Sequence, residues 1–169
     1  KEVIILQETW ISNEDSNIDD LKLPGMKFFH NSIGNGKGVA AFVKEEYVNS
    51  KNINDSLYQI SVYKSSKATI VNVYKSSGCD ENELASELSN LIENEETNAE
   101  VFICGDFNFC FLNEPMNKIK LTLENNNFIQ IVKKSTHEAG HLLDQIYIKN
   151  AKHKYNVIHQ SLFLLDHDI

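Results

Sequence analysis

The stretch Val101-Phe102-Ile103-Cys104-Gly105-Asp106-Phe107-Asn108 decides how the chain is read. Its unbroken apolar run reads as a buried strand. A carboxylate left unpaired in such surroundings costs several kcal/mol, so Asp106 belongs at the strand's exit, on the rim where α/β sheets bind ligands. Gly105 permits a tight turn or a close approach to the backbone. Asp106 and Asn108 are two residues apart, so in extended backbone their side chains share a face. A carboxylate beside a neutral amide suits phosphate chemistry. The first orients a water or a metal, and the second donates to a phosphoryl oxygen. The same spacing also fits an Asx turn that merely closes the strand.

Working outward, two more apolar runs end on acidic residues. Glu8 follows Val3-Ile4-Ile5-Leu6-Gln7, and Asp166-His167 follows Leu162-Phe163-Leu164-Leu165. Such exits, far apart in sequence, imply one site assembled by folding, and their chemistry reads as a divalent-metal phosphodiesterase. Mg²⁺ favours one or two protein carboxylates plus waters and substrate phosphate; Glu8 and Asp166 can supply that pair. His167, near neutral in pKa, can bear on a phosphoryl group or leaving oxygen if a carboxylate fixes its tautomer. Asp144, between Leu143 and Ile146-Tyr147-Ile148, is the candidate for that orienting role. The alternative is an Asp satisfied by backbone.

Two other motifs read as turns. His137-Glu138-Ala139-Gly140-His141 matches HExxH, a zinc signature that works only on a helix, where both histidines share a face. Gly140 weakens any helix and a strand-like run starts at Leu142, so the segment reads as a turn leading into the Asp144 strand. Gly34-Asn35-Gly36 resembles a phosphate loop, but no helix follows it.

The 169 residues are expected to form a single domain, 1–169, with 41% hydrophobic and 24% charged residues. No apolar run approaches a membrane-spanning length, and the first residues do not read as a signal peptide. The chain opens inside an apparent strand and stops just past another, so a truncated piece is expected. Cys79, Cys104 and Cys110 are odd in number and lack a CxxC spacing, which argues against a disulfide framework or disulfide-linked partner and for an intracellular setting, nuclear or cytoplasmic. The formal charge is −8 and all 16 basic residues are lysine. That disfavours broad, charge-driven nucleic-acid binding and removes the bidentate arginine fork. The groupings Lys133-Lys134 and Lys149/Lys152/Lys154 read as solvated loop lysines.

Strands are expected near 2–7, 38–43, 57–63, 68–74, 100–104, 128–132, 142–148 and 157–165. The clearest helix spans about 81–95, with Asp80 and Glu83 at capping-box spacing and an apolar stripe of Leu84, Leu88, Leu91 and Ile92. A second is expected over 114–125, capped by Asn113 with Pro115 in its first turn. The order predicts a mixed α/β architecture with two helical layers.

Taken together, Leu6-Gln7-Glu8-Thr9, Gly36-Lys37-Gly38-Val39-Ala40, Val71-Asn72-Val73-Tyr74, Gly105-Asp106-Phe107-Asn108, Leu143-Asp144-Gln145-Ile146-Tyr147 and Asp166-His167 resemble the endonuclease/exonuclease/phosphatase superfamily, the DNase I-like fold. The flavour is similar to endonuclease domains attached to transposon-encoded helicases or reverse transcriptases. The resemblance implies a four-layer α/β/β/α sandwich with two packed, mostly antiparallel sheets, lacking its first strand. It implies Mg²⁺, or Mn²⁺ in its place, on Glu8 with Asp166 nearby, and DNA as substrate. Asp106 would orient or deprotonate the attacking water, Asn108 and Tyr74 would contact the scissile phosphate, and His167, oriented by Asp144, would stabilise the phosphoryl transition state. Two departures stand out: the family's upstream Asn-bearing strand is not in the sequence, and Leu165 replaces the Ser that precedes the final Asp-His. A phosphoinositide or sphingolipid phosphoesterase, or an inactive binding remnant, are the alternatives of the same fold.

Overall fold

The computed structural model describes residues 3–11, 18–32, 37–93 and 98–160. In chain order they form β1 (Val3–Gln7), a 3-10 turn (Ile18–Asp20), β2 (Met26–Asn31), β3 (Val39–Lys44), β4 (Val48–Asn54), β5 (Tyr58–Lys64), β6 (Ala68–Lys75), α1 (Glu81–Glu93), β7 (Glu100–Asp106), α2 (Lys118–Asn125), β8 (Ile129–Gln130) and β9 (Asp144–Lys149). β1, β3 and β2 form a small antiparallel sheet in that order. The larger sheet runs β4-β5-β6-β7-β9-β8, with β6 and β7 parallel and the other pairs antiparallel. The parallel pair is joined by α1, because parallel neighbours need a crossover that a tight turn cannot make.

The alternation of side chains along β6 explains why its sequence is an almost continuous apolar run. Val71 and Val73 face outward to Leu84 and Leu88 of α1 and to Ile119 and Leu123 of α2. Ile70, with Cys104 and Phe102 of β7 and Ile146 of β9, faces Ile5, Phe29, Ala41 and Val43 of the small sheet. A strand covered on both faces has no position for a solvated residue, and all eight residues of β6 are buried. The fold is the expected α/β sandwich of two packed, mostly antiparallel sheets. Among the described residues both α-helices lie on the outer face of the larger sheet, so this part of the chain comprises three of the layers.

Gly105 has a sharper role than a turn. Its φ is +146°, and a Cβ built there would lie 1.8 Å from the Val73 carbonyl oxygen. The residue is glycine because β7 presses on β6 at this point.

Three expectations are corrected. β2 and β4 are absent from the predicted strands. β4 reads Val-Asn-Ser-Lys-Asn-Ile-Asn, a composition poor in strand formers, and it forms as an exposed edge paired to β5 with a bulge between Asn49 and Lys51. α2 starts at Lys118 with Asn117 as its cap, not at 114 with Asn113. The Asn117 carbonyl oxygen of the side chain accepts from the Ile119 and Lys120 N–H groups at 3.0 and 3.3 Å. The Glu81 carboxylate of α1 accepts from the Asn117 amide at 2.6 Å and from the Lys118 N–H at 3.1 Å. Tertiary contact with α1 thus selects between the two asparagines. Residues 157–160 are not in a strand, and the rest of the segment expected as one lies outside the described residues.

Candidate active site

The strand register assembles the site. Tyr74 on β6 is the direct neighbour of Asp106 on β7, and Asp106 that of Asp144 on β9. Registered residues on adjacent strands project to the same face, and for this rung it is the face toward the small sheet, since Asn72, Cys104 and Ile146, two residues along, point there too. Tyr74 and Asp106 are each 6% exposed, while Asp144 is half-buried.

The small sheet delivers Glu8 to this rung. Asn72, fully buried, donates its amide to the Leu6 carbonyl at 3.2 Å and to the Ala40 carbonyl at 3.1 Å, and accepts from the Gln7 amide at 2.7 Å. One side chain of the large sheet therefore fixes β1 and β3 against it. Two residues beyond Asn72, Tyr74 comes close enough to the Glu8 carboxylate for the two groups to act on each other electrostatically. Burial, the neighbouring Glu8 carboxylate and the charge of Asp106 together push the Tyr74 phenol well above its usual range, so it remains a neutral donor at physiological pH. Glu8 itself is exposed, at a left-handed φ of +48° immediately past β1.

Asp106 is held by its own loop. Its two carboxylate oxygens accept from the Asn108 N–H at 2.8 Å and from the Asn108 amide at 2.9 Å. The same amide nitrogen donates to the Lys75 carbonyl at 2.8 Å. Asn108 has a φ of +46°, so the pair meets through the Asx turn that the spacing also allowed, and not by sharing a face of extended backbone. Its amide orients the carboxylate.

Residues behind the site complete it. The fully buried Gln145 donates to the Phe109 carbonyl at 3.1 Å and accepts from the Tyr147 hydroxyl at 2.7 Å, tying the Asp106 loop to β9. The Thr136 hydroxyl accepts from the Leu143 and Asp144 N–H groups at 3.1 and 3.0 Å and so sets the start of β9. Asn72, Gln145 and Thr136 were not among the sequence-derived candidates. Their signal in the sequence is a polar side chain inside or beside an otherwise buried strand, a pattern that asks for a partner.

The HExxH segment is a turn. The Thr136 and His137 N–H groups both donate to the His141 carbonyl, at 2.8 and 3.0 Å, and Gly140 adopts a φ of +81°. The histidine rings are 6.4 Å apart. Buried Cys110 lies beside His141. Burial opposes its ionisation, but the Leu142 N–H and the His141 side chain outweigh that and lower the thiol pKa. Asp166 and His167 lie outside the described residues.

No group of three or more His, Cys, Asp or Glu side chains is gathered as a metal cluster among the described residues. The carboxylates nearest this rung, Asp106 with its registered neighbour Asp144 and Glu8 near Tyr74, offer only oxygen. That set suits a hard cation such as Mg²⁺, which needs few protein carboxylates, and does not suit zinc.

No family model matches the sequence, and no curated protein matches it. Solved structures do match. The chain superposes on the 3′ phosphatase NExo from Neisseria, bound to a product DNA hairpin, with a TM-score of 0.75 at 14% identity, covering 99% of this chain and 86% of that one. It is similar to an AP endonuclease from Archaeoglobus fulgidus (TM-score 0.64, 16% identity, 87% and 76% covered). It is also similar to the endonuclease domain of TRAS1, a telomere-specific non-LTR retrotransposon (TM-score 0.57, 11% identity, 74% and 65% covered). The architecture is therefore the DNase I-like fold.

Proposed function

We propose that this chain is a Mg²⁺-dependent DNA endonuclease of the mobile-element type, hydrolysing a phosphodiester by water attack, and part of a polyprotein with a helicase or reverse transcriptase. The observation that carries the reading is the strand register that sets Tyr74 beside Asp106 and Asp106 beside Asp144, with Asn72 fixing Leu6 and Gln7 so that Glu8 comes close to Tyr74. Asp106, oriented by Asn108, positions and deprotonates the attacking water. Tyr74 presents a neutral hydroxyl to the scissile phosphate, while Asn108, whose two amide hydrogens go to Asp106 and the Lys75 carbonyl, acts by fixing Asp106. Glu8 and Asp166 would hold the metal, with Mn²⁺ able to replace Mg²⁺. When bound, the metal supplies compensation for negative charge developing on the phosphorane and the leaving oxygen. His167, with Asp144 setting its tautomer, stabilises the same charge. The structural likeness to proteins named for action on DNA supports DNA as the substrate.

The test is nicking of supercoiled plasmid with Mg²⁺. The wild-type chain is expected to nick and to stop on chelation. Asp106→Ala should lower the rate by ~10²–10⁴-fold, the usual contribution of a positioned general base. Undiminished nicking by Asp106→Ala would refute the assignment.

A further inference from the structure

The chain contains one tryptophan, Trp10, and it is 70% exposed. Indole is a large apolar surface that normally goes mostly buried, and here it is left in solvent two residues past Glu8. The turn that carries it is clamped on both sides. The Thr9 N–H donates to the Gly38 carbonyl at 3.3 Å, and the Ile11 carbonyl accepts from the Ser32 hydroxyl. Gly38 is itself anchored, its N–H donating to the buried Gln59 side chain of β5 at 2.7 Å. A Cβ at Gly38 would come within 2.7 Å of Thr9 Oγ1, so the Thr9 and Gly38 segments lie in close contact. Trp10 has a φ of +55°, a conformation that a bulky side chain adopts only when its surroundings impose it. The backbone thus holds the ring out, two residues along the chain from Glu8.

The charge balance explains what such a ring would be for. With no arginine and a formal charge of −8, the chain is poorly equipped to bind nucleic acid by neutralising phosphates. Stacking on an aromatic ring needs no charge and tolerates any base, because every base has a π-face.

We propose that Trp10 is a stacking platform for an unpaired nucleobase flanking the scissile phosphodiester, so that the site takes single-stranded or locally opened DNA. The inference rests on the nuclease reading above and names its substrate class. Because Trp10 is the sole tryptophan, the protein's own fluorescence reports the contact. The probes are a short single-stranded oligothymidine and a strand of the same length carrying abasic sugars throughout. Both are titrated with Mg²⁺ into Asp106→Ala protein, which prevents turnover, with anisotropy of a labelled strand reading binding and tryptophan emission reading stacking. Oligothymidine is expected to quench Trp10 at saturation and the abasic strand not to. Trp10→Ala should weaken oligothymidine binding by about tenfold while leaving the abasic strand unaffected, and Trp10→Phe should recover most of the loss. Equal quenching by both strands, or equal oligothymidine affinity with and without Trp10, in a protein whose wild type nicks plasmid, overturns the stacking role alone. Binding of neither strand overturns the nuclease reading with it.

Discussion

β6 and β1 bring groups to the same place by different means. β6 is buried along all eight residues, between helices on one side and the small sheet on the other, and is hydrogen-bonded to β5 and β7. β1 is only half-buried along most of its length and pairs with β3. Tyr74 and Asp106 are therefore placed by a packed sheet. Glu8 is placed by bonds that cross between the sheets at the residues just before it, from the Gln7 side chain to Asn72 and from the Asn72 amide to the Leu6 carbonyl. The comparison teaches that the joint between the sheets, more than either sheet, governs whether the two halves of the site meet. Apolar packing sets a distance, and only directional bonds set a register.

The harshest way to break the packed half is Gly105→Ala. The new methyl would overlap the Val73 carbonyl in a backbone conformation that strains any side chain. A loss of ~3 kcal/mol or more is expected from the combined overpacking and strain, read as a lowered urea midpoint; an unchanged midpoint would mean that β6 and β7 are not held in close contact. Asn72→Leu attacks the joint. It leaves the Leu6 and Ala40 carbonyls and the Gln7 amide without their shared partner, at a cost of ~1–3 kcal/mol. Plasmid nicking should fall as Glu8 loses its register, whereas a drop in stability with full activity would show that packing alone places Glu8.

The smallest effect concerns the far end of β7. Glu100 accepts from the Lys152 N–H at 2.6 Å and the Tyr155 hydroxyl at 2.7 Å, tying the segment after β9 to the large sheet. Burial by itself would raise its pKa, but these bonds and the nearby His153 and Lys152 charges lower it below the ordinary value of 4.5. A carboxylate depressed on folding contributes stability that is present above its unfolded pKa and is lost as pH falls through the folded one. Unfolding free energy should therefore decline on acidification below about 4.5, and Glu100→Gln should flatten part of that decline. An identical acid profile for the variant would remove Glu100 from the large sheet's support.

Much of this was legible before folding. The runs ending at Glu8 and Asp106 read as strands because charges are excluded from their interiors, and α1 read as a helix from its stripe and cap. Asp106, Asn108, Asp144 and Glu8 read as strand-exit or strand-borne polar groups and the resemblance added Tyr74; the structure sets Tyr74 in register with Asp106, Asp106 with Asp144, and Glu8 close to Tyr74. β4 escaped notice since an edge strand can be polar throughout, and α2 was begun too early because the cap at Asn117 is held by Glu81, a partner distant in sequence.

The sequence by itself determined where chain is buried and where charge must emerge, because desolvation is a local penalty that each residue carries with it. Tertiary structure decided which emergent groups meet, and at what angle. Asn72 illustrates the reason: its buried strand marks it as a polar group in need of a partner, but that partner, Gln7, stands 65 residues away. A directional bond between distant segments has no local signature, so the register that joins Glu8 to Tyr74 exists only once both sheets are packed.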